Sequence, residues 1–473
     1  MAIAPTAHDL SSPESGKAEA ASGGLPWPSE VAGFYILFCI IFATCLNFFD
    51  LAVFQMLAER MKHSFVISDS MLGFVQGPAS VLAFVILGVP LARLVDVFPR
   101  KYVLAGGIAL IGTITALGGL AQSFGQFISS RFFVGASGAV NGPGSYSVLS
   151  DFFRPARIPL VFALLQLGYI SGTSGGNYFG GKLVAWASTW PEKTSFLGLT
   201  VFNWQWILVM IGAPGLLAAL LFLFAKEPPR RNPPNISAEM PAGASFLRKI
   251  AFLMGWDAFK ALWARKQVFL PLFAALALSS LESQGIGPWR VPFLHRSYGW
   301  AEKDIGALLG MLLLPAMLAG IFVGGVFVSW LGKRHKDAYI RATTIIFAGN
   351  TIVAILTPLM PTAQLAIGGI VLSMFLGLAG APAQNAAVQQ IVPNELRGQA
   401  TALYLFMFTA FGALGSQVIG WVSSFVVGNE QNLWQALLIT AAVFLPTATF
   451  CMWRGIRPFR NEVERIGAMQ AAA

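Results

Sequence analysis

The sequence predicts an all-α polytopic membrane protein with twelve transmembrane helices in two six-helix bundles. Three observations predict it. Of 473 residues, 56% are hydrophobic and only 11% are charged, and the mean hydropathy is +0.66. A soluble domain carries about 25% charged residues. Apolar runs of about 20 residues, the length that crosses roughly 30 Å of hydrocarbon, recur along the chain. These runs fall into two groups of six on either side of the longest internal polar stretch, Lys226 to Lys266. They are continuous and rich in glycine and phenylalanine, which speaks against the short alternating segments of a barrel.

The first group of runs covers about 33–57, 71–92, 102–122, 125–151, 159–186 and 204–225. The second covers about 268–290, 304–331, 341–361, 364–392, 399–426 and 432–454. The bundles are therefore assigned to 33–225 and 267–455. Residues 1–32 are polar and small and lack the basic start and short apolar core of a signal peptide, so they are read as a disordered cytoplasmic tail. The central loop, 226–266, holds "EPPRRNPPN" and then "FLRKIAFLMGWDAFKALWARK", a basic amphipathic run expected to lie along the membrane surface. Residues 456–473 form a second cytoplasmic tail.

Orientation follows from the 31 lysines and arginines. With the N-terminus inside, only Arg60, Lys62, Lys182, Lys193, Arg290, Arg296 and Lys303 fall in outer segments, and Arg131 lies within a span. Both termini are thus placed in the cytoplasm, and the inner membrane of a bacterium is the expected location. The net charge of +10 is a topology signal and calls for no nucleic-acid partner. Cys39, Cys45 and Cys451 all lie in apolar runs and read as packing residues. The four histidines, His8, His63, His295 and His335, are scattered without metal spacing.

The two halves echo each other. "ARLVDVFPRKYVL" follows the second run and "GGVFVSWLGKRHKDAYI" ends the eighth, each a small-residue helix end followed by a basic turn. "PGSYSVLSDFFRPARIPLVFALL" and "PAQNAAVQQIVPNELRGQATALYLF" each place a proline before an arginine, Arg157 or Arg397, that opens the next helix. A repeat of this kind implies two bundles with a site between them near the midplane. Gly168, Gly172, Gly176 and Gly180 form one small-residue ridge, and Gly412, Ser416 and Gly420 another. Such ridges let helix backbones approach closely. They are read first as packing and second as seams along which the bundles move.

From these residues the chain resembles the major facilitator superfamily of secondary transporters over about 33–455. "LVDVFPRK" resembles the family signature between helices 2 and 3, with Asp96, Arg100 and Lys101 in place. Ala92 and Pro99 stand where glycines are usual, and Val97 where an arginine is usual. The Spinster-like branch is the closer resemblance. "NFFD", Asn47 to Asp50, is similar to its first-helix N-x-x-D, and "RFFVGASGAVNGPGSYSVLSDFF" is similar to its helix 4. Two departures stand out. Gly138 occupies the position of a helix-4 carboxylate, and Ser329 that of an aspartate in the second basic loop.

Asp50, Arg131 and Glu282 are the charged residues well inside spans. A charge at the centre of a span costs about 2.5–3.5 kcal/mol on insertion scales and marks a functional candidate. At 1.5 Å per residue they sit about 25, 30 and 21 Å from the inner end of their spans, so in one layer. The resemblance implies that helices 1, 4 and 7 line a central cavity, where the three would face one another. The expected roles follow. Asp50 carries the coupling proton. Arg131 is its partner or the counter-charge for an anionic substrate. Glu282 supplies the second acid that Gly138 lacks. Asn47, Asn141, Tyr146, Gln166, Gln384 and Asn385 are further substrate-contact candidates, with Tyr169, Asn177 and, on a helix peripheral in the family fold, Asn350 behind them. Asp96, Arg100, Lys101, Arg157 and Arg397 form the expected cytoplasmic gate.

The expected activity is proton-coupled transport of a small amphipathic or lipid-like molecule by alternating access. Symport of a small organic or aromatic acid is the competing reading, and a channel or non-transporting receptor the alternative from another class. The chain has no Walker sequence and no H-E-x-x-H, and its glycine-rich "GASGAVNGPG" lies in a span. No enzyme activity, cofactor or metal is therefore expected. The expected partners are the substrate, protons and the bilayer, with the protein monomeric.

Overall fold

The structure, a computed structural model, describes residues 27–230, 265–392 and 397–472. A few helix side chains are left out, Asp96 and Arg397 among them. The tail before 27 and the amphipathic run expected in the central loop lie outside the described residues.

The first half contains α1 (Glu30–Met56), α2 (Ala58–Phe65), α3 (Asp69–Gln76), α4 (Pro78–Val97), α5 (Arg100–Gly118), α6 (Phe124–Phe152), α7 (Ile158–Ala187) and α8 (Asn203–Leu223). The second contains α9 (Lys266–Gly285), α10 (Arg290–Tyr298), α11 (Glu302–Gly332), α12 (Ala338–Leu356), α13 (Ala363–Gln390), α14 (Arg397–Trp421) and α15 (Leu433–Ala472). Ten of these stretches are long and apolar enough to cross a membrane. The second apolar run, split at Gly77 into α3 and α4, and the more polar α6 are not among the ten; counted with them, the helices are consistent with the expected six and six.

Local chemistry fixes many of the ends. Ser29, Ser68, Ser123 and Thr362 cap α1, α3, α6 and α13 by accepting a backbone N–H with their side chains. Pro78 opens α4 where a helix has no N–H bond to lose. The last helix runs on through the segment read as a tail, past Pro446 and Pro458 to Ala472. One hairpin departs from the all-α reading: β1 (Lys193–Phe196) pairs antiparallel with β2 (Leu199–Phe202). Leu197 and Gly198 between them both have positive φ, which matches the right-handed twist of a two-residue hairpin.

Glycines bring helices together in two different ways. Gly168, Gly172 and Gly176 of α7 lie against the α1 backbone at Ile41, Cys45 and Phe49, inside one bundle. That ridge is packing and not a seam between bundles. The seams involve Ser416 and Gly420 of the other ridge together with further glycines. Gly306 and Gly310 of α11 press on Asn177 and Tyr178 of α7, and Gly73 and Gly77 of α3 and its end press on Ser416 and Ala413 of α14. Calling the side of the bundle with Glu30 and Ala472 the near face, both seams lie toward the far face. Toward the near face a cavity separates the halves.

Candidate functional site

The cavity has a volume of about 750 Å³. Its walls come from α1, α5, α6, α7 and α8 on one side and from α9, the start of α10, α12, α13 and α14 on the other. It reaches from Asp50 to Phe222 and Tyr404, near the near-face ends of α8 and α14. Most of the wall is apolar, with Ile108, Ile111, Leu165, Phe222 and Phe408 prominent. Among the described residues two charged side chains line it, Asp50 and Arg290, one from each half.

Asp50 is 7% exposed, and Arg131, only 2% exposed, stands behind it. Nη1 of Arg131 is 3.6 Å from Oδ2 of Asp50. A charge-assisted hydrogen bond would measure about 2.7–2.9 Å, so this is an ion pair without a formed hydrogen bond. The guanidinium lies over the Phe54 ring at 4.4 Å and near the Phe127 ring at 5.5 Å. Cation–π contact of this kind partly offsets the cost of burying the cation. Asp50 Oδ1, Arg131 Nε and Nη2, and the nearby Thr115 Oγ1 have no hydrogen-bond partner among the described residues. Each unsatisfied buried group costs about 1–3 kcal/mol.

Glu282 does not join this pair. It is buried off the cavity wall, forms no ion pair with Asp50 or Arg131, and leaves Oε2 without a partner. Its electrostatic neighbour is Arg290, which also acts on Tyr169. The chain turns sharply after α9 through Gly287–Trp289, and that turn swings Arg290 back onto the wall. Sequence reasoning counted Arg290 among the outer-segment cations, at the end of the seventh apolar run. Its Nη2 donates to Sδ of Met374 at 3.0 Å.

Asn47, Asn141, Tyr146, Gln166, Gln384 and Asn385 all line the cavity. Asn141 Oδ1 is unpartnered, and Tyr404 Oη donates to Gln384 Oε1 at 3.4 Å. Tyr404 and Thr115 also line the cavity and were not singled out from the sequence. Asn350 is not peripheral: it lines the cavity and accepts a hydrogen bond from Ser373 at 2.7 Å. A Cβ at Gly138 would meet nothing within 4 Å, so the wall has room at the position of the missing carboxylate.

The expected gate residues separate. Arg100 is 2% exposed and ties one half to itself: Nη1 meets Asp151 Oδ2 at 2.5 Å and Nε meets Glu227 Oε1 at 3.1 Å. Lys101 joins Glu227 through its backbone N–H at 2.9 Å. Arg157 pairs with Glu30 on the exposed surface. The Asp96 and Arg397 side chains lie outside the described residues. None of the three described residues bridges the halves.

A bridge between the halves does exist on the far face, where the sequence showed only scattered loop charges. Asp69, fully buried, accepts from Lys62 at 2.7 Å, from Arg296 at 2.6 and 2.9 Å, and from Ser423 at 2.7 Å. Arg296 also donates to Glu59 Oε1 at 2.7 Å and to the Glu430 carbonyl at 2.7 Å. Glu430 accepts from the Asp69 N–H at 2.8 Å and from Ser424 at 2.7 Å. Burial alone would raise the Asp69 carboxyl; its bonds to Arg296 and Lys62 outweigh this and hold it below its ordinary value of 3.8.

A profile of the Major Facilitator Superfamily matches residues 40–416. An MFS-type efflux pump of Mycolicibacterium smegmatis is 25% identical over 422 residues, covering 88% of this chain and 91% of the pump. Protein spinster of Drosophila melanogaster is 22% identical, over 82% of this chain and 61% of its own length. A crystal structure of a bacterial homolog to the human lysosomal transporter Spinster, inward-facing and unoccupied, shares the fold with a TM-score of 0.77 at 23% identity, over 92% of this chain and 99% of that one. The chain belongs to the Major Facilitator Superfamily of membrane transporters, and Spinster proteins are among the members it is similar to.

Proposed function

We propose that this transporter is a proton-coupled carrier that moves a small amphipathic or lipid-like molecule across a bacterial inner membrane by alternating access. In this reading the near face is cytoplasmic, and the structure corresponds to the state with the cavity opening inward. The observation that carries the reading is the Asp50–Arg131 pair, a carboxylate on the cavity wall with a guanidinium 3.6 Å behind it and hydrogen-bonding capacity unused on both sides. Whether such a carboxylate holds a proton depends on two opposing influences, its contact with water and its distance from the cation. Both change when the cavity closes on one face and opens on the other. Asp50 thereby takes a proton on one side and releases it on the other. The mostly apolar wall supports an amphipathic cargo.

The test uses proteoliposomes. A thermal-shift screen of lipids and organic acids at two pH values supplies a substrate. Asp50→Asn should then lose accumulation driven by a pH gradient while keeping counterflow exchange. Unchanged gradient-driven accumulation by Asp50→Asn sinks proton coupling through this residue. Absence of saturable counterflow in the wild type sinks the carrier reading in favour of a channel. A second reading, symport of a small organic or aromatic acid, draws support from Arg290, a cation on the wall of the same cavity.

A further inference from the structure

The two halves order their cavity charges oppositely. In the first half the carboxylate of Asp50 is on the wall and Arg131 is behind it. In the second half Arg290 is on the wall and Glu282 is behind it, buried. Asp50 already has a cation at 3.6 Å. Arg290 has no carboxylate within ion-pair distance among the described residues, and its one side-chain hydrogen bond among them goes to a thioether. A thioether is a weak acceptor, while a guanidinium offers five N–H donors in a planar fork that matches carboxylate and phosphate oxygens. Part of that fork therefore faces the cavity unused. Tyr169, on the opposite half, lines the same end of the cavity and lies within electrostatic reach of Arg290. An anion between them would touch both bundles at once.

We infer that Arg290 is the substrate-recognition residue of this cavity and takes the anionic group, a phosphate or a carboxylate, of the transported molecule. The inference rests on the carrier reading above and adds a division of labour. Arg131 serves Asp50, and substrate charge is read by Arg290, not by Arg131. The apolar part of the cargo then lies along Ile108, Leu165, Phe222 and Phe408 toward the near face.

Binding, not transport, is the primary readout. Octyl phosphate, benzoate and octyltrimethylammonium are titrated against the full chain in nanodiscs, followed by thermal shift and tryptophan fluorescence. The wild type should bind at least one of the anions about tenfold or more tighter than octyltrimethylammonium, the scale of one charge-assisted hydrogen bond. Arg290→Gln should remove that preference, and Arg290→Lys should keep part of it. Tighter binding of octyl phosphate identifies a lipid-like cargo, and tighter binding of benzoate a small acid; each supports the assignment. Equal binding of anions and cation by the wild type overturns it, as does anion affinity unchanged in Arg290→Gln. Should Arg290→Gln fail to fold, the wild-type preference and its partial retention in Arg290→Lys decide. Asp50→Asn separates the two claims: if it still transports with the pH gradient, proton coupling fails while the Arg290 assignment stands on binding.

Discussion

Two groups of buried charges in this molecule are built in opposite ways. On the far face, Asp69 is saturated, with four donors at 2.6–2.9 Å drawn from both halves. In the cavity, Asp50 and Arg131 stand 3.6 Å apart with atoms on each left unpartnered. Burying a charge is tolerated when excellent geometry and extra hydrogen bonds return what desolvation costs. The far-face cluster meets that condition and fits a latch. The cavity pair does not, and a pair left short is one whose charge state can change. The contrast teaches that depth alone did not mark function. The best-buried carboxylate among the described residues, Asp69, sits in the saturated cluster and not on the cavity wall.

The largest expected effect breaks the cavity pair. Arg131→Met leaves the Asp50 carboxylate buried without its cation, a loss of about 3–5 kcal/mol when one partner of such a pair is removed. The melting temperature should fall sharply, and adding Asp50→Asn should restore most of it. A single Arg131→Met variant as stable as the wild type would show that Asp50 carries no charge in this state. Next in size is the latch. Asp69→Asn weakens bonds to Lys62 and Arg296 worth about 1.5–3 kcal/mol each as charged hydrogen bonds. Much of that strain is relieved by opening the far face, so the equilibrium between faces should shift about tenfold or more. Ser70→Cys with Ser424→Cys reports it, since the Ser70 N–H lies 3.1 Å from Ser424 Oγ. Cross-linking should drop in Asp69→Asn, and an undiminished yield would show that the cluster is no latch.

Much of the fold was legible because the membrane enforces it. Hydropathy located the helices, whose starts and ends mostly fall within a few residues of the apolar runs. The exceptions have physical causes: Gly77 divides one run into α3 and α4, and the final helix continues past the membrane because its polar end remains a good helix former. The cavity was legible where a charge or amide interrupts an apolar run, as at Asp50, Asn141 and Gln384. It was not legible at Arg290, because a loop that folds back reads like one that leaves. The latch was invisible for a related reason. Lys62, Asp69, Arg296 and Glu430 are ordinary loop charges until tertiary packing brings them together across 361 residues, as Asp69 and Glu430 are. Asp96 and Arg100 drew attention as a motif, yet Arg100 is spent inside one half on Asp151 and Glu227.

Acid should separate latch from cavity with a smaller effect. Because the Asp69 pKa is depressed, its contribution is fully present above the ordinary carboxylate value and is lost only as pH falls through the lower folded value. Lowering the pH from 7 to 5 should therefore leave the distance between spin labels attached at Ser70→Cys and Ser424→Cys unchanged. That distance should lengthen only below about pH 4, where free carboxylates begin to protonate. A latch that opens between pH 7 and 5 would mean that Lys62 and Arg296 do not hold Asp69 as tightly as their distances imply.

The smallest expected effect is at Arg157 and Glu30, whose side chains are 51% and 69% exposed although their atoms meet at 2.7 Å. An exposed pair of this kind contributes about 0–1 kcal/mol, because water screens the charges and ordering two long side chains costs entropy. Arg157→Ala should leave thermal stability and the cross-link yield within error. The pair has the same short distance as Lys62 and Asp69. A clear loss on Arg157→Ala would mean that Arg157 gates the near face through partners other than Glu30. An unchanged protein would show that burial and saturation, not distance, divide the charges that hold this carrier shut from those that only mark its orientation.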